Sequence, residues 1–126
     1  MSSNEKEDVG QGREKRFQAP KGVFVGIGPT FDKIGRLREV GMDGLAFRYF
    51  GNGEASKASY VDVFMTEGDF YLGKVPIKII SDVQVVAKTS SESKTLRQCH
   101  VRFEKLTPPQ KAKLKEFIEK YAVGQA

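Results

Sequence analysis

Alternating apolar and polar residues predict β-strands over most of the chain. Leu45, Phe47 and Tyr49 alternate with Ala46 and Arg48, which is typical of a strand with one buried face. Further strands are predicted at residues 22–27, 60–65, 70–72, 75–80, 83–87 and 96–103. The β-branched segments 75–80 and 83–87 fit either one long bent strand or two separate strands.

The segment 36–49 is predicted to form two strands joined by a tight turn. Gly41 and Gly44 bracket this turn, and glycine permits either a positive φ or a close backbone approach. Arg36, Arg38 and Glu39 come together just before it. A turn on a rigid scaffold can present such side chains to a ligand, although an ordinary solvated hairpin has the same pattern.

The last part of the chain changes from a strand period to a helix period. Thr107 is a predicted N-cap, followed by proline and by Gln110 as its capping-box partner. The apolar residues Leu114, Phe117, Ile118 and Tyr121 then recur at helical spacing. Many short strands followed by one amphipathic helix predict a mainly β fold, an antiparallel barrel of about six strands covered by the helix.

The N-terminal segment differs in composition from the rest of the chain. Residues 1–12 are polar and mixed in charge, so we expect them to be disordered. The folded domain is predicted at residues 13–122, with 123–126 as a tail. Arg13, Lys15 and Arg16 form a basic cluster at the start of the domain, and arginine can place two donors on a phosphate or on a guanine edge. A solvated tail is the alternative interpretation.

Composition narrows the function classes. The 126 residues are enough for one domain with a real core, and the net charge of +5 favours an anionic partner. One cysteine and one histidine, Cys99 and His100, offer no disulfide, no zinc site and no catalytic pair with a local signature. We therefore expect no enzyme and no metal. Without a long apolar run or a signal core, a cytoplasmic location is expected.

Two glycine-rich segments resemble nucleotide-binding motifs only in outline. Residues 68–74 match the spacing of a phosphate-binding loop, but Val75 follows where a hydroxyl is needed, and a strand follows where a helix is needed. Gly26 and Gly28 lack the third glycine of a dinucleotide fingerprint. Neither segment is predicted to bind a nucleotide.

Taken together, the arm, the turn and the end of the chain resemble a known family. An arginine pair precedes the first strand, an acidic-to-glycine turn leads into residues 44–49, and residues 99–106 precede a helix that opens Thr-Pro-Pro-Gln-Lys. Over about residues 12–122 the chain resembles the PilZ domain, the bacterial receptor for the second messenger cyclic di-GMP. The resemblance implies a six-stranded barrel whose N-terminal arm folds over a bound cyclic dinucleotide.

The resemblance also implies which residues bind the ligand. The first family motif is two arginines separated by three residues; its second arginine matches Arg16, and Arg13 lies one residue after the position of its first. The second motif is Asp or Asn, any residue, Ser, two residues and Gly. Glu39 lies at its Asp or Asn position, Gly41 at its Ser position and Gly44 at its Gly position. The implied ligand site is therefore Arg13, Arg16, Glu39, Gly41 and Gly44, with Lys15 and Arg38 as further candidates.

The departures from the motifs have different physical weights. Glu39 keeps a carboxylate that can accept hydrogen bonds from guanine N–H groups, on a side chain one methylene longer than that of Asp. Gly41 lacks the hydroxyl of serine and is expected to keep a free backbone N–H. One neutral hydrogen bond contributes about 0.5–1.5 kcal/mol, so its loss alone weakens binding by roughly tenfold.

Three functions follow as hypotheses. The first is a cyclic di-GMP receptor that orders its arm on binding and signals to a protein partner in motility, pilus or biofilm control. The second is a degenerate PilZ domain that binds no nucleotide and acts as a protein-protein adapter. The third, binding of single-stranded nucleic acid, is disfavoured because the chain has no Trp and its phenylalanines mostly fall on inward-facing strand positions. We expect a monomer or weak dimer with no membrane span.

Overall fold

A computed structural model describes residues 15–28, 33–85 and 95–126. The predicted disordered segment 1–12 and Arg13 lie outside the described residues. The strands are β1 (Phe17–Gln18), β2 (Val23–Ile27), β3 (Lys33–Val40), β4 (Gly44–Phe50), β5 (Tyr60–Met65), β6 (Tyr71–Gln84), β7 (Leu96–Phe103) and β8 (Gly124–Gln125). A 3-10 turn spans Glu54–Lys57, and the helix α1 spans Pro108–Tyr121.

Six of these strands close into an antiparallel barrel. The order around it is β2, β5, β6, β7, β4 and β3, and β3 pairs back onto β2. Inward-facing side chains fill the interior: in β7, Cys99, Val101 and Phe103 are all buried, as their alternation predicts. The predicted mainly β fold, a six-stranded antiparallel barrel with a C-terminal helix, is confirmed.

The helix α1 packs its apolar stripe against the barrel. Its start has the predicted capping box: the Gln110 N–H donates to Thr107 Oγ1 at 3.2 Å, and the Thr107 N–H donates to Gln110 Oε1 at 2.9 Å. Leu114 and Phe117 are buried, and the Phe117 ring lies 4.5 Å from that of Phe70. No helix in the described part of the chain is long and apolar enough to span a membrane.

The strand β6 is continuous through Gly73, where the sequence predicts a break after residue 72. At this point β6 gains residues relative to β5, since Val61 pairs with Val75 and Val63 with Leu72. Lys74 takes a positive φ of 50°, and its N–H donates to Asp62 Oδ1 at 2.7 Å. A β-bulge thus absorbs the glycine, and the predicted segment 75–80 and all of the predicted segment 70–72 except Phe70 belong to one strand.

The N-terminal arm, residues 15–18, is docked onto the barrel by backbone pairing. Phe17 pairs with Val40 of β3 on one side and with Gln125 of β8 on the other. The Ala19 N–H donates to the Arg38 carbonyl at 2.9 Å. Residues 123–126, predicted as a tail, therefore contribute a short strand that covers the outer edge of the arm.

Candidate functional site

The turn between β3 and β4 depends on close approach and not on positive φ. The described glycines with positive φ are Gly22, Gly53 and Gly68, so the glycines of this turn are not among them. A Cβ on Gly44 would collide with the Val101 carbonyl oxygen, and one on Gly41 would lie 2.5 Å from the Lys15 carbonyl oxygen. One glycine thus lets the turn lie against β7, and the other lets the arm lie against the turn.

The Gly41 backbone N–H is engaged inside the turn, which corrects the expectation that it is free. It donates to the Gly44 carbonyl at 2.9 Å. The tip of the turn is also held to β7, because the Phe103 N–H donates to the Asp43 carbonyl at 2.9 Å. A ligand at this turn consequently meets a rigid backbone whose Gly41 donor is already used.

The structure brings Arg16 to the turn that contains two of the predicted site residues, Gly41 and Gly44. Arg16 Nε donates to Asp43 Oδ1 at 3.2 Å, with side chains 25% and 35% exposed. A partly exposed ion pair of this kind stabilises the fold by no more than about 1 kcal/mol. It does fix the direction of the guanidinium group. Its terminal amino groups make no hydrogen bond to another described residue.

Two further predicted site residues share one bulge of β3. Leu37 pairs with Phe47, whereas Glu39 pairs with Ala46, so the register shifts between them and Arg38 is inserted. Bulges re-aim side chains, and here the exposed Arg38 and the half-buried Glu39 both line the same groove. Lys15 is exposed on the arm, and Arg13 lies outside the described residues.

That groove has a volume of about 500 Å³ and runs along the barrel wall beside the arm. Its charged and amide side chains are Gln18, Lys21, Arg36, Arg38, Glu39, Arg48 and Gln98. Four cationic side chains and one carboxylate side chain give it a positive field that suits an anionic ligand.

Sequence reasoning missed four polar side chains of the groove: Gln18, Lys21, Arg48 and Gln98. Arg48 was visible as a polar residue on an alternating strand. What the sequence cannot supply is the register that pairs Arg48 with Arg36 of β3 and with Gln98 of β7. Arg48 Nε donates to Gln98 Oε1 at 2.7 Å.

A second polar cluster lies at the end of β4 that is farther from the turn. The Tyr49 hydroxyl donates to Asp82 Oδ2 at 2.7 Å, and Arg97 Nε donates to Asp82 Oδ1 at 2.9 Å. The Asp82 side chain is only 4% exposed. Burial, followed by the hydrogen bond to Asp82, raises the pKa of Tyr49 to about 12. Since the buried carboxylate is satisfied by two donors, we assign this cluster to stability.

The single cysteine offers no reactive thiolate. Cys99 is fully buried, and burial raises the pKa of its thiol to about 12. The nucleophilic form is therefore scarce at neutral pH. Within the described residues, no group of three His, Cys, Asp or Glu side chains is arranged to hold a metal ion.

The closed barrel, its covering helix and the glycine turn beside an N-terminal arm have the fold of the PilZ domain. The PilZ domain of YcgR from Escherichia coli, solved with c-di-GMP, superposes with a TM-score of 0.66 at 15% identity, over 86% of this chain and 89% of that one. The larger YcgR complex with c-di-GMP, from the same organism, gives 0.61 at 19% identity, over 85% of this chain and 44% of that one. At these identities the likeness establishes the fold.

The apo structure of MrkH from K. pneumonia gives a TM-score of 0.63 at 9% identity, over 84% of this chain and 47% of that one. The chain thus spans about half the length of the MrkH chain and of the larger YcgR chain. No family model and no curated protein matches the sequence.

Proposed function

We propose that this protein is a receptor for cyclic di-GMP that binds the nucleotide between its N-terminal arm and the turn after β3. Arg13 and Arg16 contact the phosphates and guanine edges, with Lys15 adding charge nearby. Glu39 accepts from a guanine, and the backbone at Gly41 and Gly44 approaches the ligand. Binding alters the arm and so creates a surface for a protein partner, in a bacterial motility, pilus or biofilm pathway in the cytoplasm.

One observation supports this proposal above the others. Arg16 of the arm and Glu39 of β3 are far apart in sequence, yet they belong to adjoining segments, since Phe17 and Gln18 pair with Val40 and Glu39. The arm, the acidic residue and the basic groove therefore share one face of the barrel. A ligand with two phosphates and two guanines needs this combination of cations and a carboxylate.

The docked arm modifies the expected switch. Because residues 17–18 already pair with β3 and β8, we do not expect binding to order them. The response to the ligand is expected in Arg13, in Lys15 and in the side chain of Arg16. This rearrangement is smaller than the ordering of a whole arm. Ligand binding would change the local charge and the side-chain positions at the arm surface.

Calorimetric titration of the full chain with cyclic di-GMP tests this proposal. We expect saturable heat at micromolar ligand, and a loss of affinity of about tenfold or more in Arg16→Ala, because hydrogen bonds to charged groups contribute about 1.5–3 kcal/mol. Lys111→Ala, an exposed cation on α1, is the matched control and should bind like the wild type. Absence of heat at tens of micromolar ligand would end the proposal.

A second candidate function is that of a nucleotide-independent adapter, and the structure contains one feature that favours it. The space next to Gly41, where the family serine would present its hydroxyl, is occupied by the Lys15 carbonyl. If the adapter function is right, partners copurify unchanged with the Arg16→Ala variant, and no nucleotide binds. Partner binding that requires cyclic di-GMP would exclude it.

A further inference from the structure

We infer that Arg36 and Arg48 together form a phosphate-binding pair on the barrel wall, outside the two sequence motifs. The inference deepens the proposed function, on which it rests, by naming the cations that receive a phosphate of the dinucleotide. Such a pair would compensate for the arm arginine that the family motif has one residue earlier. Neither Arg36 nor Arg48 belongs to the ligand set that the family resemblance implies.

The first observation is that these two arginines are direct cross-strand partners. Arg36 of β3 pairs with Arg48 of β4 in register, and both side chains line the groove beside Glu39. Like charges at directly opposite positions destabilise a sheet. Among the described residues, neither arginine has a carboxylate within 4.0 Å, since the ion pairs found there involve Arg16, Lys33 and Arg97. An anion between the two guanidinium groups would remove this repulsion.

The second observation is that Arg48 is held by a neutral group. Its Nε donates to Gln98 Oε1 at 2.7 Å, and Gln98 lies opposite it on β7. An amide oxygen fixes the plane of the guanidinium without cancelling its charge, as a carboxylate would. The two terminal amino groups then keep a fixed fork geometry, which matches two oxygens of a phosphate. Gln98 is therefore a positioning residue.

The third observation is the place of the pair between two depressions of the surface. Arg36, Arg38 and Arg48 line the groove of about 500 Å³ and also a neighbouring one of about 380 Å³ that includes Phe24 and Phe50. Arg36, Arg38 and Arg48 thus form a ridge between the two grooves. A phosphate bound on this ridge leaves the attached nucleoside free to enter either groove. The ridge is thus reachable by a ligand whose guanine is held at Glu39.

Cyclic di-GMP titrations of matched variants test the inference. We expect Arg36→Ala and Arg48→Ala each to weaken binding at least tenfold, Arg48→Lys to weaken it nearly as much because the fork is lost, and Gln98→Ala to weaken it about threefold. Lys115→Ala removes the same charge from an exposed position of α1 that lines neither groove, and it should bind as the wild type does. If both alanine variants stay within twofold of wild type, the inference is wrong.

A titration with inorganic pyrophosphate separates this inference from the proposed function. Followed by the Nε–Hε resonances of arginine, it should shift the Arg36 and Arg48 signals, and the Arg48 shift should shrink in Gln98→Ala. These shifts without any cyclic di-GMP binding would support the arginine pair and overturn the proposed function. Unchanged Arg36 and Arg48 resonances at millimolar pyrophosphate would overturn the pair, whatever the result with cyclic di-GMP.

Discussion

Restoring the family serine by Gly41→Ser should loosen the arm instead of repairing the site. On sequence grounds alone the substitution would return a hydroxyl to the ligand and strengthen binding. In the structure, a Cβ at this position lies 2.5 Å from the Lys15 carbonyl oxygen and 3.0 Å from Arg16 Cδ. The contact is with the backbone of the arm, so it can be relieved only if the arm itself moves.

The size of the effect follows from the hydrogen bonds that hold the arm. Ordinary contact begins at 3.4 Å, so the Lys15 carbonyl must retreat by about 0.9 Å. The bonds at risk include those from the Ala19 N–H to the Arg38 carbonyl, at 2.9 Å, from the Val123 N–H to the Gln18 carbonyl, at 3.0 Å, and from the Ala126 N–H to the Arg16 carbonyl, at 2.9 Å. Losing two such bonds costs about 1–3 kcal/mol, which corresponds to an opening of the arm that is about 5- to 150-fold more frequent.

Amide hydrogen exchange measured by NMR reads this opening directly. Exchange at Ala19 and Val123 should accelerate in both Gly41→Ser and Gly41→Ala, since both carry the clashing Cβ and only one carries the hydroxyl. The amide of Val101, in the buried strand β7, is the internal control and should change little, because the arm opens locally. Unchanged protection at Ala19 and Val123, or a gain in nucleotide affinity in Gly41→Ser alone, would show that residue 41 can carry a Cβ without moving the arm.

Three further predictions concern stability. Tyr49→Phe removes a hydrogen bond to the buried Asp82 and should lower the free energy of unfolding, measured in urea, by about 1–3 kcal/mol. The pKa of Tyr49 is raised to about 12 from an ordinary 10.0. The stability difference between wild type and variant should therefore be complete below pH 10 and decrease as the pH rises towards 12. Thr107→Ala deletes the N-cap acceptor of α1 and should cost about 1 kcal/mol by thermal unfolding, whereas Thr107→Asp should keep most of it. Lys74→Gly relieves a positive φ while keeping the N–H bonded to Asp62, and should leave stability equal or up to about 1 kcal/mol higher; a clear loss would contradict the described bulge.

The parts of the fold that the sequence predicted are those set by local patterns. The capping box of Thr107 and Gln110 and the alternation in β7 depend on residues a few positions apart, so the pattern alone fixes them. The continuity of β6 does not depend on local residues alone, because the backbone N–H of Lys74 donates to Asp62 on a neighbouring strand. A glycine that looks like a strand end is then absorbed in a bulge.

The candidate site shows the same division between local and distant information. Arg16, Glu39 and the glycines of the turn can be read from short motifs that resemble a family. Arg48 and Gln98 cannot, since only the register of β3, β4 and β7 brings them next to Arg36. The docking of β1 between β3 and β8 also depends on residues far apart in sequence. The strands β1 and β8 have two residues each, which is too short for an apolar and polar alternation to be recognised.

The most direct test of the account is an amide NMR titration of the full chain with cyclic di-GMP. We expect the largest shifts in residues 15–18 of the arm and in residues 39–44 at and before the turn, with smaller ones at Arg48 and Gln98. The amides of α1 should stay where they are. Saturating shifts confined to α1 and the neighbouring loop 66–70, or no shifts at all at millimolar nucleotide, would contradict it.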